Sequence, residues 1–213
     1  MTTDKEKIII LGGGGHAKVL IEIIRSGGIF EIAGILDARF EKGLKISGVP
    51  VIGKDDLLPG IFERDRIINA CIGVGSTRDN SLRRALYEKV KQIGFSVPSL
   101  VHPKAVVSAS CRISEGTQLM ASSVVQPCSF IGENTIINTG AIIDHDCNVG
   151  RHVHICPGAV LSGECLVGEG SFIGTGATIV NGIKIGKNVT IGAGSVVVND
   201  IADDSVVKGV PAR

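Results

Sequence analysis

The sequence predicts two domains of different construction, a small α/β domain over residues 1–100 and a parallel β-helix over residues 101–213. Two observations predict this division. Before residue 100, short apolar runs alternate with helix-like stretches, which is typical of a β–α–β sheet. From Val101 to Val197, every sixth residue at seventeen consecutive positions is Val, Leu or Ile. A period of six would scatter these residues around an α-helix, so it excludes a helical second half.

The predicted α/β domain alternates strands and helices. Strands are predicted at residues 8–11, 31–36 and 67–74, helices at 17–26 and 80–93, and a short helix at 55–58. The all-apolar run at residues 8–11 is typical of a strand that is buried on both faces of a parallel sheet. A glycine-rich loop follows it and opens the first helix, so the domain is Rossmann-like. The proline-containing stretch at residues 97–103 predicts the domain boundary.

The predicted β-helix rests on a six-residue rung. The fourth residue after each aliphatic residue is usually small. Three short strands would therefore form one triangular coil of eighteen residues, with the aliphatic residues inside and the small residues at the corners. Cys147 and Cys165 occupy small corner positions, and we expect them to pack in the dry interior rather than to bind metal. Because the pattern stops at Asp203, residues 200–213 are expected to form a tail.

The composition excludes several classes of function. The net charge is +1 and aromatic residues make up 3% of the chain, which argues against a nucleic-acid-binding surface. No apolar run reaches the length of a membrane span, and the polar N-terminus is unlike a signal peptide. Six cysteines without a CxxC spacing are typical of reduced thiols. We therefore expect a cytoplasmic protein with neither nucleic acid nor membrane as a partner.

The first candidate site is the glycine-rich loop Gly12–His16. Its Gly-x-Gly-x-x-Ala pattern follows a strand, so backbone N–H groups and the helix N-terminus would attract phosphate groups. Asp37, at the end of the second strand, is a candidate ribose partner, and Gly75 would lie beside the loop at the carboxyl edge of the sheet. A domain of about 100 residues suits a nucleotide diphosphate better than a dinucleotide. The alternative is a tight strand–helix turn that binds no ligand.

The second candidate site is the sequence Asp144-His145-Asp146. His145 is predicted at an exposed corner, and a carboxylate beside an imidazole fixes its tautomer and raises its basicity, as a general base requires. The alternative is an ordinary surface histidine in a polar turn. Gly163 follows His145 by eighteen residues, so it is expected one coil above, where its backbone N–H could bind an oxyanion. The alternative for Gly163 is an ordinary corner glycine.

Two further histidines, His152 and His154, are expected half a coil further around the prism. One of them could contact a pantetheine arm or a neighbouring chain, and His154 is the preferred candidate. The alternative is that both are solvated surface histidines.

The loop sequence GGGGHAK and the corner sequence DHDC, joined by unbroken hexapeptides, carry a family resemblance. Together they resemble the bacterial nucleotide-sugar acetyltransferases that make bacillosamine and perosamine, which are grouped with the sialic acid O-acetyltransferases. The resemblance covers nearly the whole chain. It implies a left-handed β-helix, acetyl-CoA as co-substrate, no metal cofactor, and a homotrimer with CoA in the clefts between subunits.

The resemblance also implies roles for individual residues. His145 would be the general base, Asp146 the acid that increases its basicity, and Gly163 the backbone donor to the thioester oxygen. The residues implied to line the acetyl-CoA site are His154, Gly163, Thr175 and Ala193. Those implied to bind the nucleotide sugar are Gly14, Gly15, His16, Asp37 and Gly75.

The sequence thus predicts an acetyl-CoA-dependent N-acetyltransferase that acts on the amino group of a nucleotide-linked 4-amino-4,6-dideoxy sugar. UDP is the expected nucleotide, but Ala38 stands where some members carry a second acid beside Asp37, which leaves GDP open. One alternative is an O-acetyltransferase that acts on sialic acid or another sugar. A second alternative is a non-catalytic or metal-binding β-helix, in which His145, His152 and His154 would serve as ligands.

Overall fold

The computed structural model describes residues 5–76 and 79–213, which form two compact units. The first unit consists of the described residues up to Gly75 together with Ser81–Leu100. The second consists of Val101–Arg213 together with the described residues of the segment 76–80. Within the described ranges, no helix is both long and apolar enough to cross a membrane.

The first unit is an α/β sheet with helices packed on it. Its strands are β1 (Glu6–Leu11), β2 (Phe30–Leu36), β3 (Lys45–Ile46), β4 (Val49–Gly53) and β5 (Asn69–Ile72). Its helices are α1 (Gly15–Gly27), α2 (Leu58–Glu63) and α3 (Ser81–Ile93), with a 3₁₀ turn at Asp55–Leu57. The strand order is β3-β4-β2-β1-β5, and all pairs are parallel except β3 with β4.

Strand β1 lies in the interior of this sheet, between β2 and β5, because its apolar run suits burial on both faces. Ile8–Leu11 pairs with β2 on one side and β5 on the other, and all four residues are buried. The carboxyl ends of β1, β2 and β5 therefore meet at one edge of the sheet. The glycine loop, Asp37 and Gly73–Gly75 all follow strands at that edge.

Several predicted elements of this unit need correction. The antiparallel pair β3–β4 is absent from the prediction, because two-residue β3 and proline-containing β4 carry no strand periodicity of their own. Strand β5 runs from Asn69 to Ile72 rather than over residues 67–74, so it ends before the glycines. Helix α1 begins at Gly15, two residues earlier than predicted. The short helix continues as α2 to Glu63.

The second unit consists of two-residue parallel strands in three sheets. In chain order they are Leu100–Val101, Val106–Val107, Arg112–Ile113, Gln118–Leu119, Val124–Val125, Phe130–Ile131, Ile136–Ile137, Ile142–Ile143, Asn148–Val149, His154–Ile155, Val160–Leu161, Leu166–Val167, Phe172–Ile173, Thr178–Ile179, Lys184–Ile185, Thr190–Ile191, Val196–Val197 and Val206–Val207. Through most of the unit a strand pairs with the strand eighteen residues later, as Ile143 does with Leu161. The predicted fold class, a Rossmann-like domain followed by a left-handed β-helix, is confirmed.

The interior of the β-helix follows the predicted register. The aliphatic residues at six-residue steps from Leu119 to Val197 are all buried. Cys147 and Cys165 are also buried in this core, as the corner prediction requires. Val101 is an exception and is exposed, because its strand forms the edge of its sheet and no coil lies beyond it.

The predicted tail at residues 200–213 is partly wrong. Val206–Val207 forms a strand that pairs with Thr190–Ile191, and Ile201 bridges to Ile185. The step from Val197 to Ile201 is four residues instead of six, so the six-residue count misses the last part of the β-helix.

Candidate active site

His145 lies at a corner of the β-helix, between the strands Ile142–Ile143 and Asn148–Val149. Asp146 turns the corner with φ +58°, a left-handed conformation that several non-glycine residues of this unit share. The backbone N–H of His145 donates to Oδ1 of Asp144 at 2.8 Å, and its Nδ1 lies 2.8 Å from Oδ2 of Asp146. About half of the His145 side chain, 49%, is exposed. The imidazole is thus held by its neighbours and still open to solvent.

The carboxylates around His145 determine its protonation. The hydrogen bond to Asp146 raises the pKa of His145 above its ordinary value, and the charges of Asp144 and Glu164 act in the same direction. Because Asp146 accepts from Nδ1, the neutral imidazole keeps its proton there and leaves the lone pair of Nε2 directed outward. That tautomer can accept a proton at Nε2.

Gly163 lies directly against the ring of His145. A Cβ atom on Gly163 would be 2.6 Å from both Cε1 and Nε2 of His145, and 2.9 Å from Oδ1 of Asn181. Only glycine therefore allows this approach. The Gly163 carbonyl accepts from Gly182 N–H at 2.9 Å, whereas within the described part of the chain its own N–H has no hydrogen-bond acceptor. The backbone of Gly163 and a basic ring nitrogen thus lie side by side, as the eighteen-residue spacing predicts.

A cavity of about 430 Å³ in the same unit contains three of the other predicted residues. His154, Thr175 and Ala193 line it together with Phe172 and Asn138. His145 and Gly163 are not among its lining residues. The structure therefore brings His154, Thr175 and Ala193 together but leaves Gly163 in the niche of His145.

Hydrogen bonds fix the orientation of His154. Oδ1 of Asn138 accepts from the N–H of Thr139 at 2.8 Å, so the amide nitrogen of Asn138 is directed at Nε2 of His154, 3.0 Å away. Nε2 must then accept, and Nδ1–H donates to the hydroxyl of Ser76 at 2.6 Å. His154 is thereby held as a single neutral tautomer at the cavity wall.

The alternative that His152 and His154 are solvated is wrong, since they are only 4% and 5% exposed. Nδ1 of His152 lies 2.9 Å from the amide nitrogen of Asn134, and the backbone carbonyl of His152 accepts a hydrogen bond from the amide nitrogen of Asn80. Among residues 5–76 and 79–213, no three His, Cys, Asp or Glu side chains are grouped as a metal site would require. Within these residues of one chain, His145, His152 and His154 therefore form no metal site by themselves.

The glycine loop of the first unit leaves the start of α1 open. Gly14 is the N-terminal cap residue, and among residues 5–76 and 79–213 no side-chain hydrogen bond caps the helix, whose first turn contains no acidic residue. A Cβ on Gly15 would meet nothing within 4 Å, and one on Gly14 only Nη2 of Arg39 at 3.6 Å. A Cβ on Gly75 would lie 3.4 Å from His16. The structure thus groups Gly14, Gly15, His16 and Gly75 around a helix N-terminus that suits an anion.

Asp37 is engaged more fully than the sequence suggests. Its carboxylate accepts from Gly13 N–H at 2.7 Å, and from the N–H, Nε and Nη2 of Arg39 at 2.9, 3.0 and 2.7 Å. The hydrogen bonds from the Arg39 side chain are the main cause that lowers the pKa of Asp37 to about 2. A ribose hydroxyl would have to displace one of these four donors. Asp37 also lines a mostly apolar cavity of about 290 Å³, beside Leu36, Val74 and Leu86.

Sequence reasoning missed the residues that orient these groups. These residues, Asn138, Ser76 and Arg39, belong to no recognisable motif. Asn138 and Ser76 bind His154, which is distant from them in sequence. The Arg39 side chain binds Asp37 through its particular conformation. One signal was available for Arg39, because an arginine two residues after an acid at a strand end can fold back on it.

Two family matches cover separate parts of the chain. The PglD N-terminal domain matches residues 7–90, and the bacterial transferase hexapeptide (six repeats) matches residues 164–199.

Solved structures match nearly the whole chain. A variant of the perosamine N-acetyltransferase from Caulobacter crescentus, in complex with CoA and GDP-perosamine, is 42% identical with a TM-score of 0.91, covering 97% of this chain and 95% of that chain. The chain belongs to this family of bacterial nucleotide-sugar acetyltransferases. The acetyltransferase domain of PglB from Neisseria gonorrhoeae FA1090, in complex with acetyl coenzyme A, is 40% identical with a TM-score of 0.91 and 99% coverage of both chains.

A curated member of the family matches over a shorter stretch. The UDP-N-acetylbacillosamine N-acetyltransferase of Bacillus subtilis (strain 168) is 36% identical over 120 residues, or 54% of this chain. The match covers 52% of that enzyme, so it spans about half the length of this curated relative. The family predicted from the GGGGHAK loop and the DHDC corner is confirmed, and with it the enzyme class, an acetyltransferase.

Proposed function

We propose that this protein transfers the acetyl group of acetyl-CoA to the amino group of a nucleotide-linked 4-amino-4,6-dideoxy sugar. The observation that carries the proposal is the niche in which His145, held by Asp146, lies against the backbone of Gly163. An exposed base beside a free backbone donor suits acyl transfer from a thioester to an amine. The relatives that match the whole chain act on, or are solved with, ligands of these two kinds.

His145 is the general base in this proposal. The sugar amine attacks the thioester carbonyl, a C–N bond forms, and the carbonyl π electrons move to oxygen. Nε2 of His145 takes the proton that the nitrogen loses. Asp146 keeps the other ring nitrogen protonated and stabilises the imidazolium that results.

Gly163 stabilises the oxygen in the tetrahedral intermediate. Its N–H supplies a donor where negative charge develops, and the absence of a side chain lets the His145 ring lie close to that donor. When the intermediate collapses, the C–S bond breaks and its electrons leave with the sulfur of CoA. The proton on His145 then neutralises the thiolate, so the base returns to its starting state.

The acetyl-CoA site comprises His154, Gly163, Thr175 and Ala193. The cavity of about 430 Å³ supports this assignment for His154, Thr175 and Ala193, since they line one wall of apolar and small residues. His154 presents a fixed neutral ring there, which avoids burying a charge beside the thioester.

The nucleotide sugar binds to the first unit through Gly14, Gly15, His16, Asp37 and Gly75. The open N-terminus of α1 would bind the diphosphate, and the apolar cavity that includes Asp37 has the character of a pocket for a planar base. In this assignment residues 1–100 form the nucleotide-sugar-binding domain and residues 101–213 the acetyltransferase domain. UDP stays the predicted nucleotide, with GDP as the competing outcome.

The proposed enzyme acts as a homotrimer. One sheet of the β-helix carries an outward-facing, largely apolar column, formed by Val106, Val124, Ile142, Val160, Thr178 and Val196. An apolar stripe of this length is more typical of a subunit interface than of a solvated surface. Light scattering of the purified protein should give the mass of a trimer.

We expect the reaction to take place in the cytoplasm, where acetyl-CoA is formed.

The proposed function is tested with a panel of acceptors and acetyl-CoA, by following the release of free thiol. UDP-linked and GDP-linked 4-amino-6-deoxy sugars form the first two arms, and the corresponding 4-hydroxy sugars and sialic acid form the controls. We expect turnover only with an amino sugar linked to one of the two nucleotides. Turnover with the hydroxyl acceptors alone would establish the O-acetyltransferase alternative instead.

A further inference from the structure

Arg83 is a buried cation on α3 that the proposed mechanism does not use. Arg83 is only 2% exposed. Its Nη1 donates to the carbonyl oxygens of Ile72 at 2.9 Å and Val74 at 2.8 Å. Burial lowers the pKa of Arg83 to about 9, so the guanidinium is still charged at neutral pH. A buried charge is costly to keep, and an apolar side chain could fill the same space.

The two carbonyls that Arg83 binds mark the point where the chain leaves the sheet. Ile72 is the last residue of β5, and Val74 belongs to the loop that follows. Beyond the end of a strand, backbone carbonyls lose their ladder partners and need other donors. One guanidinium nitrogen therefore joins the strand end to the loop and fixes the direction in which the loop departs.

That loop is interlocked with the glycine loop. Gly73 N–H donates to the carbonyl of Leu11 at 2.6 Å, and a Cβ on Gly12 would lie only 2.5 Å from Cγ2 of Val74. Gly75 lies against His16, since a Cβ there would be 3.4 Å from the His16 side chain. A shift of Val74 would accordingly be transmitted to Gly12, and a shift of Gly75 to His16.

We propose that Arg83 is a positioning residue for nucleoside diphosphate binding, which acts through the carbonyl of Val74 on the Gly73–Gly75 loop and thereby on the glycine loop at the start of α1. The proposal rests on the proposed function, because it takes that loop as the diphosphate site. Arg83 itself is not required to touch the ligand. Its contribution is to hold the backbone N–H groups of the site in place before the ligand binds.

The test compares Arg83→Met with two controls on the same helix. Val90→Ala removes apolar contacts from the buried face of α3 without touching the loop, so it reports the effect of lost stability alone. Arg84→Met removes the neighbouring exposed arginine, which pairs with Glu88. Titration calorimetry gives the Kd for UDP and for GDP, steady-state kinetics gives the KM for acetyl-CoA, and thermal melting gives Tm.

For Arg83→Met we expect the Kd of the preferred nucleotide to rise about tenfold or more, while the KM for acetyl-CoA changes by less than about twofold. Arg83→Lys, whose ammonium can reach one or both carbonyls, should recover part of the affinity. Val90→Ala should lower Tm without raising Kd, and Arg84→Met should change neither.

Several results would overturn the inference. A wild-type Kd in Arg83→Met, or a Kd that rises equally in Val90→Ala, would mean that Arg83 only stabilises the fold. If Arg83→Met does not fold, Arg83→Gln takes its place, because its shorter, uncharged side chain cannot hold both carbonyls, and an unchanged Kd in that folded variant would equally overturn the proposal. A wild-type protein that binds neither UDP nor GDP would instead refute the proposed function, and the inference with it.

Discussion

The two units of this protein are encoded in different ways. In the β-helix, residue i+18 repeats the environment of residue i, so Ile143 pairs with Leu161 just as Ile142 does with Val160. One pattern therefore predicts which aliphatic side chains point inward along almost a hundred residues. The α/β unit has no such repeat. The hydrogen bond from the Gly13 N–H to Asp37, for example, joins two residues whose separation in sequence no periodic pattern predicts. In the periodic fold the sequence predicts the burial of individual aliphatic side chains. In the non-periodic fold it predicts only the strands and helices.

The largest effect is expected from a substitution that places a charge inside the β-helix. Ile143 is completely buried, while its neighbour Ile142 is 38% exposed on the outer face. Ile143→Asp should cost several kcal/mol and leave insoluble or unfolded protein, because an unpaired carboxylate cannot be accommodated in the dry interior. Ile142→Asp is the matched control and should keep the circular dichroism and the melting transition of a folded chain. Equal solubility of the two variants would show that the register is wrong.

The next largest effect concerns catalysis within that rigid frame. His145→Ala should lower kcat by at least about 10²-fold, since a positioned general base contributes roughly 10²- to 10⁴-fold. The KM for acetyl-CoA should change little, because in the proposed mechanism His145 contacts the nucleophile. His102→Ala, at a histidine of the same unit that binds the N–H of Lys104, is the control and should retain wild-type kcat.

A near-normal kcat in His145→Ala would remove His145 as the base. The rate would then come from substrate positioning and the Gly163 contact, since an amine needs less help than a hydroxyl. The pH profile separates these cases, because a limb that belongs to the substrate amine persists in the variant and a limb that belongs to His145 is lost.

The same contrast explains which site residues the sequence could predict. The stacking of Gly163 on His145 follows from eighteen-residue spacing alone, and the structure has Gly163 within reach of the ring. The burial of His154 does not follow, because its hydrogen bonds to Ser76 and Asn138 depend on a segment from outside the repeat and on an amide orientation. The four donors around Asp37 do not follow from the glycine motif either, since it says nothing of Arg39, and the only signal for them is the position of Arg39 two residues after the acid.

A substitution in the non-periodic unit should have a smaller and more selective effect. Gly14→Val should raise the KM for the nucleotide sugar about tenfold and leave that for acetyl-CoA nearly unchanged, because the side chain would fill the proposed phosphate position. The free protein has room for the Cβ of the new side chain, since the nearest described atom to it, Nη2 of Arg39, is 3.6 Å away. Gly27→Val, at the other end of α1, also meets open space and serves as the control. A parallel rise of both KM values would make the loop a structural turn only.

The smallest expected effect tests how Asp146 acts on His145. The base works as the neutral imidazole, so kcat/KM of the wild type should rise with pH through the pKa of His145 in the free enzyme. The hydrogen bond from Asp146 is the main cause that raises the pKa of His145, so Asp146→Asn should move this limb to lower pH.

Asp144 and Glu164 still raise the pKa of His145 in that variant, so the limb should move only part of the way to the ordinary imidazole value. The plateau of kcat/KM at high pH should fall on the order of tenfold, less than in His145→Ala, because the ring remains but its tautomer is no longer held. The loss should therefore be largest at high pH and smallest at low pH, where more of the variant is already in the neutral form. A substrate amine limb would stay in place in both enzymes. A profile that drops equally at every pH, with an unmoved midpoint, would show that Asp146 orients the corner without tuning the base.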